Sequence, residues 1–209
     1  MILKSYDELN FLELDALKEV GSIGTGNAAT SLSSLIGKPV RIKQPEVRIM
    51  GYNEAIEWIG GPEPITAGVL VGMSGQLSGI MLSVQQLDFV NLVLESMMDQ
   101  RIEDYEELDE IGRSALTEVG NIMISTFINA LSSLTDLEID LTVPAFTVDM
   151  QGAIITVPMA EYGGQSNYIM TIGGNFICNG KEIPCRLLLS PDIRSLNFLL
   201  RRLGVNSGD

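Results

Sequence analysis

The chain repeats itself, and the repeat limits its fold more than any other feature. Residues 15 to 45 laid on residues 114 to 144, at a constant offset of 99 with no gap, give eleven identities in 31 positions. Among them are Leu17/Leu116, Glu19/Glu118, Val20/Val119, Gly21/Gly120, Ile23/Ile122 and Pro45/Pro144. Chance gives about two at ordinary residue frequencies. Each half then continues alike, through a strand-like run after the proline, a turn-rich middle, a β-rich stretch and a closing amphipathic helix. One unit is built twice, at about 8–100 and 107–205, within a single domain.

Apolar periodicity predicts a long helix near 10–36, strands near 39–50 and 66–84, and a helix near 85–98. The second half follows with a helix near 107–134, strands near 138–158, 167–178 and 182–189, and a helix near 192–203. The fold class is α+β. "GGPEP" at 60–64 and "EYGGQSN" at 161–167 are turn chemistry. The acidic run at 99–110 joins the halves and leads into the second long helix.

Composition narrows the chemistry. With 209 residues, 45% hydrophobic, the chain can bury a full core. A formal charge of −14 makes it a poor partner for nucleic acid or an anionic membrane, so its polar partners are expected to be neutral or basic. No histidine is present, which excludes Ser-His-Asp and Cys-His catalysis and a histidine-bearing zinc site. Cys178 and Cys185 flank an Asn179-Gly180 turn that would pair Cys178 with Lys181, so no disulfide is expected, as suits a reducing cytoplasm. Acidic residues come too early for a signal peptide, and no apolar run approaches the ~20 residues of a membrane span. The reading is a soluble cytoplasmic protein without membrane insertion.

Spacings of four and three put Ser114, Glu118 and Asn121 on one helix stripe. Asp15, Glu19 and Ser22 form the matching stripe in the first half. Leu116, Val119, Ile122 and Met123, and likewise Leu14, Leu17, Val20 and Ile23, are assigned to the core side. An isolated Glu-x-x-Asn is ordinarily a solvated helix face. Here both copies keep a glycine, Gly21 or Gly120, at a cost of about 1 kcal/mol in helix propensity relative to alanine. Such a glycine is expected to let another backbone approach the stripe.

The pattern Asp/Ser-x3-Glu-x2-Asn-x22-Pro, complete as Ser114, Glu118, Asn121 and Pro144, resembles the active-site signature of the CheC/CheX/FliY phosphatases of chemotaxis. Asp15, Glu19, Ser22 and Pro45 form a second copy lacking only the asparagine, and "GSIGTGNAAT" resembles a phrase of the family's first helix. Two copies in about this length are the CheC-type arrangement. The resemblance implies two pseudo-twofold-related αβXβ units sharing a six-stranded antiparallel-type sheet, with both motif helices on one face. It also implies hydrolysis of the aspartyl phosphate of the response regulator CheY. In that reading Asn121 positions an in-line water, Glu118 meets a lysine of CheY, and Ser114, Gly120 and Pro144 support them. CheY carries the Mg²⁺, so the chain needs no cofactor or metal of its own.

Ser22 departs from the pattern, since its hydroxyl lies nearer the backbone than an asparagine amide, and the Glu19/Ser22 site is expected to be weak or a docking surface. Asn27, about 140° round the helix, does not replace it. Two binding roles stand beside the enzyme. One is a scaffold like the FliM middle domain; the other is regulation of the receptor deamidase CheD through "PAFTVDMQGA", with Asp149 the exposed candidate. Pro144 also reads as a simple turn into its strand. A nucleotide phosphatase is disfavoured, because "GSIGTGN" lacks a GK[ST] phosphate loop.

Overall fold

The computed structural model describes residues 3–162 and 167–205. Each half opens with a short 3₁₀ turn, Tyr6–Glu8 or Tyr105–Glu107, followed by a 26-residue helix, α1 (Phe11–Ile36) or α4 (Glu110–Thr135). Asn10 and Asp109 start these helices by accepting hydrogen bonds from first-turn N–H groups, and Asn10 closes a capping box with Glu13. Residues in the left-handed region, Gly37 and Asp136, end them.

The first half continues through β1 (Val40–Gly51), α2 (Tyr52–Ile59), β2 (Ile65–Gly75), β3 (Gly79–Gln85) and α3 (Leu87–Met97). In the second half the counterparts are β4 (Ile139–Leu141) and β5 (Ala145–Met150), α5 (Gln151–Tyr162), β6 (Tyr168–Cys178), β7 (Lys181–Pro191) and α6 (Ile193–Arg202). β4 and β5 are one edge strand interrupted around Pro144, so seven strands fill six positions, in the order β1-β6-β7-β3-β2-β4 with β5 also on β2. Every pairing is antiparallel.

The halves are interleaved. β1 pairs with β6 of the other half, and β4 and β5 pair with β2. The lead-in segments exchange in the same way. Tyr6 Oη donates to Pro191 O at 2.6 Å, and Tyr105 Oη to Gln85 O at 2.9 Å. The side chain of Asn197 brackets the Leu3 backbone with bonds of 2.7 and 2.8 Å, while that of Asn91 brackets Ile102 with bonds of 2.9 and 3.0 Å. The repeat therefore reaches back to Leu3 and Ile102.

One sheet face carries the main core, where Leu17, Val20, Leu116, Val119 and Met123 of the long helices meet Val47, Val69, Met81 and Leu187. α2 and α5 cover the other face with Tyr52, Ile56, Ile59, Ile154 and Ile155. The sequence reading held no helix at α2, although Tyr52, Ala55, Ile56 and Ile59 carry a helical spacing. It also assigned 138–158 to strands, whereas α5 begins at Gln151. Its Ile154, Ile155, Val157 and Pro158 favour extended chain, and burial of the two isoleucines against α2 overrides that propensity. Of the 161–167 turn, residues 163–166 lie outside the described residues, and Glu161 and Tyr162 close α5.

Asn179 and Gly180, both at positive φ, form the expected hairpin turn, and Cys178 pairs with Lys181. Both cysteines are free and buried. Among the described residues, no helix is long and apolar enough to cross a membrane.

Candidate functional site

α4 turns the second stripe outward. Ser114 and Glu118 are exposed and Asn121 is half-buried, while Leu116, Val119 and Met123 are sealed in the core. With the described residues, the side chains of Glu118 and Asn121 make no hydrogen bond or ion pair, so their carboxylate and carboxamide are open to an incoming molecule. On α1, Asp15, Glu19 and Ser22 are all exposed. The helices cross beyond both stripes, where Gly24 faces Phe127 and Thr126 Oγ1 bonds Ser31 Oγ at 3.0 Å.

Ile23 and Ile122 do not join the core. Ile23 is 38% exposed and Ile122 is half-buried. Each stands four residues after the stripe glutamate, and the spacing that gathers the polar residues puts these isoleucines beside them. Ile122 also lines a shallow groove with Thr30, Ser31, Ser34 and Leu35 of α1. Each stripe thus offers an apolar contact next to its serine or asparagine.

The glycines serve a different purpose from the one expected. Gly21 and Gly120 are buried and face inward, so neither receives an outside backbone. A β-carbon on Gly21 would overlap Val47 Cγ2, and one on Gly120 would stand 2.6 Å from Val69 Cγ2 and 2.9 Å from Gln85 Nε2. The absent side chains let each helix settle on the sheet, over β1 or β2. That seating fixes the rotation at which the stripe points outward.

Gln85, at the end of β3, is a positioning residue that the sequence reading missed. Its Nε2 donates to Leu116 O at 3.1 Å, one turn before Gly120. Its backbone oxygen accepts from Tyr105 Oη at 2.9 Å and Thr66 Oγ1 at 3.1 Å. It therefore ties the α4 lead-in, the start of β2 and the motif helix together. The available signal was a glutamine ending a wholly buried strand.

Pro45 sits at the register shift of β1 between Lys43 and Glu46, where a missing N–H costs the ladder nothing, and it shares a cavity flank with Leu14 and Lys18 of α1. Pro144 is half-buried in the break between β4 and β5, which fits the simple-turn reading. Asp149 is exposed on β5 opposite Thr66, and its Oδ1 accepts from the Met150 N–H at 2.7 Å. It belongs to the sheet edge, a different element from the Glu118/Asn121 stripe.

The model of the CheC-like family matches residues 12–49 and again residues 111–148, one segment at the start of each copy of the internal repeat. The chain is 26% identical over 198 residues to the CheY-P phosphatase CheC of Bacillus subtilis, covering 93% of this chain and 95% of that protein. Among solved structures it resembles FliY of Thermotoga maritima, with a TM-score of 0.72, 22% identity, and coverage of 94% of this chain and 98% of that one. It also resembles the FliM middle domain of H. pylori, with a TM-score of 0.64, 11% identity, and coverage of 93% and 99%. The fold is thus shared with both FliY and the FliM middle domain.

Proposed function

Because the CheC-like family model matches a segment in each copy of the repeat, and a relative 26% identical to this chain in Bacillus subtilis is named a CheY-P phosphatase, we propose that the chain is a CheC-like protein and hydrolyses the aspartyl phosphate of the chemotaxis response regulator CheY in the cytoplasm. The observation that carries this reading is the outward stripe of α4, where the side chains of Glu118 and Asn121 have no partner among the described residues.

In this reaction water attacks phosphorus in line, the P–O bond to the aspartate breaks, and inorganic phosphate leaves a restored carboxylate. Catalysis of such a loose transfer is mainly positioning and charge stabilisation. Asn121 has a carbonyl to accept from the attacking water and an amide to donate. Glu118, one turn earlier, pairs with a lysine of CheY and orients the docked helix. CheY carries the Mg²⁺, and the phosphatase contributes no metal. Site one keeps the carboxylates of Asp15 and Glu19, but Ser22 reaches short, so it docks CheY with little turnover.

A second reading is a binding role toward CheD. The observation favouring it is that Asp149 is exposed on β5, an edge strand whose described pairing is with β2 alone. Asp149→Lys should then weaken CheD binding and leave phosphate release unchanged.

The test of the main reading adds the chain to Mg²⁺-bound phosphorylated CheY and follows phosphate release. Release faster than the spontaneous rate supports hydrolysis. Binding without acceleration would assign the chain to a scaffold role, as its likeness to the FliM middle domain allows.

A further inference from the structure

On the sheet face away from the motif helices, a cavity of about 400 Å³ opens between β1, α2, β6 and β7. We propose that this cavity, around Lys43, Trp58, Asn175 and Arg186, binds an oxyanion group, either a carboxylate or a phosphate.

Arg186 is its centre. The guanidinium lies 4.6 Å from the Trp58 ring centroid, and Arg48 lies 5.5 Å from the same ring. Arg186 Nη1 donates to Gly174 O at 2.9 Å and Cys185 O at 3.0 Å, but its buried Nε has no hydrogen-bond partner. Burial lowers its pKa, with Cys185 and Glu46 acting weakly the other way. The outer cations are already compensated, Lys43 by Glu182 and Arg48 by Glu46 at 2.6 Å. With the described residues Arg186 forms no ion pair, and it is the cation taken furthest from water in this cluster.

The repeat shows that the fold does not require this arrangement. An offset of 106 aligns the helix caps Gln86 and Asp192 and the bracketing residues Asn91 and Asn197, and it puts Ile80 at the position of Arg186. Ile80 is a buried apolar residue, 7% exposed. At the offset of 99, Val157 stands for Trp58 and Thr142 for Lys43. One of the two equivalent corners is built with ordinary apolar and neutral residues; the other places a guanidinium there with no ion pair among the described residues, although Glu46 lines the same cavity. A half-desolvated charge is costly unless paired, and a planar guanidinium fits two oxygens of a carboxylate or phosphate. Lys43 and Asn175 at the rim, now on Glu182, supply further donors. The overall charge of −14 disfavours an extended polyanion, so the fit is to one small anionic group.

The chain has a single tryptophan, so its emission reports on this cavity. The full chain is titrated with sodium phosphate and with sodium acetate, with sodium chloride as the control, all at one ionic strength. The expected result is a saturable change of Trp58 emission with at least one oxyanion and none with chloride. Saturation by phosphate alone identifies a phosphoryl ligand, and by acetate alone a carboxylate. Lys43→Ala, at an exposed position, should weaken binding roughly tenfold or more, the loss for a charged hydrogen bond. Arg186→Gln, checked for folding by circular dichroism, should abolish it. A merely structural Arg186, bracing two carbonyls and Trp58, predicts flat titrations. Flat curves, an equal response to chloride, or a Lys43→Ala titration identical to wild type would overturn the proposal.

Discussion

Gln85 and Gly120 hold the motif helix between them: the Nε2 that bonds Leu116 O at 3.1 Å would lie 2.9 Å from any β-carbon on Gly120. The amide occupies the space left by the missing side chain. Val69, 2.6 Å from the same point, closes it from the sheet. Rotation of α4, and with it the direction of Glu118 and Asn121, depends on this fit.

Gly120→Ala should therefore destabilise the fold by about 1–3 kcal/mol, the usual cost of overpacking a core, despite alanine's better helix propensity. Gly26→Ala is the control. Its β-carbon would meet nothing within 4 Å, and it should gain up to about 1 kcal/mol. Chemical-denaturation midpoints separate the two. A stabilised Gly120→Ala would mean that α4 is not seated by this contact.

Alkaline pH should loosen the molecule through its buried acids. Burial raises the Cys185 thiol from about 9 to about 12 and holds the Tyr6 hydroxyl well above its ordinary value; burial also raises Tyr105. In each case the folded state keeps a proton that the unfolded chain releases. The contribution is full below the unfolded pKa, and stability falls as pH climbs from about 9 toward 12. Denaturation midpoints at pH 8, 9.5 and 10.5 should decline in that order. Midpoints that hold level would show that these groups are solvated.

Much of this was legible in the sequence, and the misses have specific causes. The long helices, the hairpin at Asn179-Gly180 and the paired stripes follow from spacing and turn chemistry. The exchange of β1 and β5 between halves does not, because an apolar pattern says which face of a strand is buried and not which strand lies beside it. α5 is hidden by residues that prefer extended chain; the lead-in "YEELD" falls within the run read as an acidic linker, and "YDELN" carries no element in the sequence reading. Gly120 was recognised as unusual, but only the packing reveals that it faces Val69 and Gln85 rather than solvent.

If Glu118 meets a lysine of CheY as proposed, Glu118→Lys should raise the concentration of phosphorylated CheY needed for half-maximal rate, by setting a cation against that lysine. Glu118 is exposed, so the defect should shrink as salt is added. Normal binding with lost turnover would give Glu118 a direct part in the chemistry.

The central claim is that the amide at position 121 performs the hydrolysis and that its absence at position 22 silences the other stripe. The direct measurement is phosphate release from Mg²⁺-bound phosphorylated CheY by four proteins: wild type, Asn121→Ala, Ser22→Ala, and Ser22→Asn combined with Asn121→Ala. Ser22 is exposed, so its replacement should change stability by no more than about 0.5 kcal/mol. Asn121→Ala should lose roughly 10²-fold in rate, as for one preorganised hydrogen-bonding group, with CheY binding retained. Ser22→Ala should match wild type, and the double variant should recover measurable turnover. Equal losses from Asn121→Ala and Ser22→Ala, or a double variant that binds CheY and stays inactive, would contradict it.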